Sequence, residues 1–144
     1  MTFADKLGGW FRGNQDAVDF ALCLYEAIQQ WDDIEDEGQC EDHNAMIAWW
    51  AFDKEHMPFF ARNAATLRPV LHLMYLQWRA ANVLDHGTRA DVDKSYMLRA
   101  AFFGVLHMIA AISGGTQWAV EIGPEIYREY AETTDSLWKE FNDA

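Results

Sequence analysis

Helix punctuation constrains this chain more than any other feature. Asn14 and Gly38 bracket a run of good helix formers that contains neither proline nor glycine. Asn14 is a favourable N-cap, Asp16 suits a first turn, and Gly38 suits a helix stop. A helix is therefore expected over Gln15–Glu37. The same punctuation recurs downstream. Asp42-His43-Asn44 opens a second helix that has to stop before Pro58, and a short helical piece follows over 59–65. A third helix is expected over 66–86, with Pro69 in its first turn and Gly87 as its C-cap. Thr88 with Asp91 forms a capping-box pattern that opens a fourth helix reaching about Ile112, where Ser113-Gly114-Gly115 interrupts it. Pro124 suits the first position of a fifth helix ending near Phe141. Few stretches alternate polar and apolar residues as strands would. The expectation is an all-α chain: a single helical domain over residues 1–144, built as a bundle or orthogonal array of about five main helices.

The chain has 144 residues, enough to bury roughly 68–70% of its unfolded surface without a disulfide or metal staple. Its charge is lopsided, with 23 Asp and Glu against 11 Lys and Arg, a formal net of −12. That balance disfavours direct nucleic-acid binding and anionic membranes. It suits a bound cation, a basic protein partner, or solubility alone. Cys23 and Cys40 are the only cysteines and form no CxxC, so two reduced thiols in a cytoplasmic protein are expected. The N-terminus lacks a signal-peptide pattern. The apolar run at 70–76 is interrupted by His72 and is too short to span a bilayer.

One segment breaks a local rule. A helix C-terminus carries partial negative charge, so each exposed carboxylate there costs about 0.3–1 kcal/mol. The first long helix nonetheless ends in Asp32, Asp33, Glu35, Asp36 and Glu37, followed by Glu41 and Asp42. No Lys or Arg occurs between Arg12 and Lys54. At about 100° per residue, Asp16, Asp19, Cys23, Glu26, Gln30, Asp33 and Glu37 form a polar stripe. Ala17, Ala21, Leu24, Tyr25, Ile28 and Trp31 face the core, and Asp32, Glu35 and Asp36 continue that core side. Two readings follow. Asp32, Glu35 and Asp36 hold a hard divalent cation such as Mg²⁺, or the carboxylates are solvated or paired with Arg79, Arg99 or Arg128.

Asp32-Asp33-Ile34-Glu35-Asp36 fits DDxxD and resembles the first aspartate-rich motif of the isoprenoid (terpenoid) synthase family, including the trans-prenyl diphosphate synthases. The resemblance implies an all-helical fold in which Asp32 and Asp36 hold Mg²⁺ against a substrate diphosphate, with Asp33 less direct. Mg²⁺ would then neutralise charge on the departing diphosphate. The match covers five to seven residues. No second DDxxD and no NDxxSxxxE-like motif occurs, and Lys and Arg are scattered rather than clustered.

Elsewhere, Ala100 to Ile112 is apolar nearly all round and is expected to form a central buried helix, with His107 as a hydrogen-bonded core residue. Asp85, Asp91 and Asp93 look like caps. The adjacent pairs Trp49-Trp50, Phe59-Phe60 and Phe102-Phe103 point about 100° apart, so each needs packing on two sides or an interface. Aromatics and methionines pack the core or line an apolar cavity, and a homodimer could use the surplus. Base rate favours a small acidic accessory or interaction protein, of the sort mobile elements and bacteriophages carry, with a possible cation site. The alternative is a Mg²⁺-dependent, diphosphate-handling enzyme or a degenerate relative of one.

Overall fold

The computed structural model describes residues 1–38 and 43–142; the side chains of Asp36, Glu37 and His43 lie outside that description. Every described element is helical: α1 (Phe3–Trp10), α2 (Gln15–Glu37), α3 (His43–Ala48), a π-helical turn (Trp49–Asp53), α4 (Lys54–His56), α5 (Pro58–Leu84), α6 (Arg89–Arg99), α7 (Ala101–Gly114), α8 (Thr116–Arg128) and α9 (Thr134–Asn142). The all-α expectation holds, with more and shorter segments than about five. Two compact units result, Met1–Leu67 and Arg68–Ala144.

In the first unit, α2 has the expected bounds. Asn14 accepts from the Ala17 N–H, and Gly38 closes the helix in the left-handed conformation (φ 79°). Its buried row is Ala17, Val18, Phe20, Ala21, Leu24 and Ala27. The core is aromatic: the Phe20 ring lies 6.0 Å from Phe59, 5.8 Å from Phe60 and 6.0 Å from Trp49. Phe59 and Phe60 are both fully buried, so the start of α5 is wedged on two sides. Burying a phenylalanine side chain stabilises by roughly 1.5–3 kcal/mol, so this cluster dominates the unit. Pro58 opens α5, where its missing N–H costs nothing. The short helical piece expected at 59–65 is present but ends earlier, at a kink on Asn63 (φ −126°, ψ 22°), beyond which the rest of α5 follows directly. The Asn63 amide donates to the Phe59 carbonyl (2.8 Å), entering the helical ladder where the backbone N–H belongs.

In the second unit, Thr88 and Asp91 form the expected capping box on α6. The expected fourth helix is broken at Ala100 (φ −77°, ψ 1°) into α6 and α7. α7 is not buried all round. Phe102, Val105, Leu106, Ile109 and Ala110 are buried, while Met108 reaches solvent. By length and composition alone, Arg89–Gly114 is apolar enough to cross a membrane. Gly115 (φ 90°) turns the chain so that α8 packs back on α7. α8 begins at Thr116, eight residues before the expected start, which leaves Pro124 inside it. Pro124 removes the backbone donor for the Val120 carbonyl, and Val120 is an exposed residue. Pro69 in α5 is tolerated likewise, over exposed Ala65. The expected fifth helix is split by residues 129–133. α9 docks on α6 through Arg89, which bonds Asp93 (3.1 Å) and Asp135 (2.6 Å) and lies over the Trp138 ring.

Candidate functional site: the acidic side of the first unit

The acid-rich segment does not fray. α2 stays helical through Glu37, so Asp32, Asp33 and Glu35 sit in its last turns with no basic residue beside them in the last turn. The core-facing expectation for the carboxylates is only partly met. Asp32 is half-buried, Glu35 is exposed, and Asp36's side chain lies outside the described residues. The buried face of α2 is rotated from the expected one. It runs through Phe20, Leu24 and Ala27, and leaves Tyr25 43% exposed. Glu35 lies on the same line of the helix as Ala17 and Leu24, so its exposure reflects where the core ends along α2 and not a turn of the face. Among the described residues, no three His, Cys, Asp or Glu side chains converge as a metal-binding group.

Trp31, adjoining the segment, stacks on Trp50 with ring centroids 4.3 Å apart and planes 10° apart. Trp50 in turn meets Trp49 edge-on at 5.0 Å. The indole N–H groups of Trp49 and Trp50 are buried without an acceptor among the described residues. These rings hold the second half of α2 against the π-helical turn, a geometry that occurs often at functional sites.

Between α2, α3 and that turn lies an open cleft of about 250 Å³. Cys23, Glu26, Ala27 and Gln30 line one side, and Ala45, Met46, Trp49 and Asp53 the other. The α2 side is the expected polar stripe, now the wall of a cleft. Glu26 and Asp53 are exposed, whereas Ala27 and Met46 are buried in the floor. Cys23 is a free thiol; Cys40 lies outside the described residues. Burial, with Glu26 and then Asp19 adding to it, pushes the Cys23 thiol above its ordinary range. The unit's described cations are turned elsewhere where their partners are defined. Lys54 donates to the Trp50 carbonyl (2.6 Å) and faces Glu55 (3.6 Å), and Arg62 pairs with Asp16.

The second unit keeps its polar groups for its own interior. Asp85, expected as a cap, is instead 2% exposed and paired with Arg99. Ser95 donates to the same carboxylate, and Arg99 also donates to the Asn82 side-chain oxygen (3.2 Å). The Arg99 guanidinium lies 5.5 Å from the Phe141 ring centroid. His107 is hydrogen-bonded as expected. Its Nε2 lies 2.8 Å from the Ala119 carbonyl and its Nδ1 3.2 Å from the Tyr127 hydroxyl. A carbonyl cannot donate, so Nε2 carries the proton. In the neutral ring Nδ1 then accepts from Tyr127. Burial pushes the Tyr127 phenol above its ordinary range, which keeps it a donor. Gly123 makes room for this ring: a Cβ there would stand 2.8 Å from His107 Nε2. An apolar groove of about 310 Å³ lies beside Tyr127, with Met74 and Met97 in its lining.

These pairings were hidden from sequence because each joins residues far apart in the chain. The cleft had one visible signal, the polar stripe through Cys23, Glu26 and Gln30, but its opposite wall depends on α3 packing. Comparison with family models, curated proteins and solved structures finds no match, so the reading of this site rests on its own residues.

Proposed function

We propose that this chain is a non-enzymatic interaction protein that docks a basic partner on the acidic side of α2. The observation that carries this reading is the acid-rich helix end. α2 persists through Glu37 with acidic residues in its last turns and no basic residue in the final one. Lys54 and Arg62 are engaged with other groups. The first unit holds 13 Asp and Glu against 4 Lys and Arg, a net of −9. Cationic side chains from a partner would relieve repulsion at the dipole's negative end and gain on-rate from the field of the whole unit.

The test is fluorescence anisotropy of a labelled nona-arginine peptide. Asp32→Asn/Asp33→Asn/Glu35→Gln is compared with an equal charge change on the second unit, Glu121→Gln/Glu125→Gln/Glu129→Gln. The first variant should bind roughly tenfold more weakly, from three lost charge contacts of about 0.5 kcal/mol each. The second should change little. Equal losses would mean diffuse attraction only, and the docking reading would be abandoned. Millimolar Mg²⁺ added during thermal unfolding decides against the cation reading or for it. A raised midpoint that disappears in Asp32→Asn/Asp36→Asn would replace docking by a metal site.

A further inference from the structure

We infer that the cleft between α2, α3 and the π-helical turn is the seat of one basic side chain, lysine or arginine, from the docked partner. The inference rests on the docking reading and adds the place and chemistry of its anchor. Three features of the cleft fit such a side chain together.

The first is shape. A space of about 250 Å³, open on one side, matches a single long side chain entering from a surface. The second is the gradient of polarity from floor to rim. Ala27 and Met46 are buried, with Trp49 beside them, and these apolar groups suit a methylene stem. Glu26 and Asp53, also in the lining, are exposed and offer carboxylates to a cationic head. Long cationic side chains partition in that way, stem on apolar surface and head at the polar edge. The third is vacancy of charge. Among the described residues, no cationic side chain lines the cleft. Lys54, the neighbour of Asp53 in sequence, is turned to the Trp50 carbonyl and Glu55. An anionic or purely apolar occupant would bring no charge to answer Glu26 and Asp53. A small metal ion would leave the apolar floor unused.

The π-helical turn explains how two chemically different walls come from one short segment. Trp49 and Asp53 are the first and last residues of that turn and both line the cleft. The turn therefore presents an aromatic face and a carboxylate on one side.

Cys23 lines the same cleft and serves as a built-in reporter. In a Cys40→Ser background, the full chain is alkylated with iodoacetamide with and without nona-arginine, and adduct formation is followed by intact mass. At a peptide concentration ten times its Kd, Cys23 should react roughly tenfold more slowly, because only the unoccupied state is open to reagent. Glu26→Gln/Asp53→Asn should lose that protection, and Glu121→Gln/Glu125→Gln should keep it. Ala45→Phe, which fills the cleft without altering charge, should weaken peptide binding and so separate insertion from mere attraction. Peptide binding by anisotropy with Cys23 alkylation unchanged would overturn the cleft as the seat and leave the docking surface standing. Absence of peptide binding to the wild-type chain would remove the docking reading and this inference with it.

Discussion

The two units place their charge in opposite ways. The first carries a net of −9, with most of its described acids exposed and an aromatic cluster within. The second holds 10 acidic against 7 basic residues, a net of −3, and spends part of that charge on interior pairing. Asp85 and Arg99 are bound to each other below the surface, and His107 is satisfied at both ring nitrogens. Buried charges that are paired specify how helices meet. Acids gathered at a helix end do nothing for the fold that solvent or a single counter-charge would not do better. The contrast teaches that the polar groups of the second unit are explained by its own structure. In the first, Arg62 pairs with Asp16 and Lys54 with Glu55, while Asp33 and Glu35 stand exposed at the end of α2.

The largest break in this contrast comes from Arg99→Ala. It strands the Asp85 carboxylate in the interior and should cost about 3–5 kcal/mol, measured by urea unfolding. Asp85→Leu/Arg99→Met should cost much less than Arg99→Ala alone, because no charge is left behind. A double variant as damaging as the single would show that the pair is ordinary packing.

Gly123→Ala comes next. The new methyl would stand against His107 Nε2 and force the ring from the Ala119 carbonyl, for roughly 1–3 kcal/mol. In a His107→Ala background the same change should be nearly neutral. A cost that persists there would trace to the helix and not to the ring.

Thr88→Ala removes one half of the capping box on α6 and should lower stability by about 1 kcal/mol. The smallest effect sharpens the other side of the comparison. Asp33→Lys and Glu35→Lys, both exposed near the C-terminus of α2, should each raise stability by about 0.3–1 kcal/mol. The gain should shrink in high salt. No gain at low salt would mean that some unrecognised cation already answers that helix end.

Much of the backbone was legible because helix ends are written in local chemistry. Asn14 and Gly38 bound α2 as expected, and Thr88 with Asp91 opened α6. The failures were prolines and facing. Pro124 reads as a helix start, yet it lies inside α8, on a helix whose residue four positions earlier, Val120, is exposed. Tyr25 reads as core-facing on an ideal wheel. The real face was set by Phe20 meeting Phe59, Phe60 and Trp49, contacts that no local pattern reports.

The candidate site divides along the same line. The acidic run, its position at a helix end, and the polar stripe through Cys23, Glu26 and Gln30 depend on sequence spacing and helical periodicity alone. The cleft exists only because α3 and the π-helical turn bring Met46, Trp49 and Asp53 to face that stripe. Likewise Asp85 finds Arg99 fourteen positions away, and His107 finds Tyr127 twenty away. Helix propensity and capping act over a few residues, so the sequence by itself determined the helices and the charge they carry. Pairing and concavity arise between segments, where only the tertiary structure decided which side chains share a space.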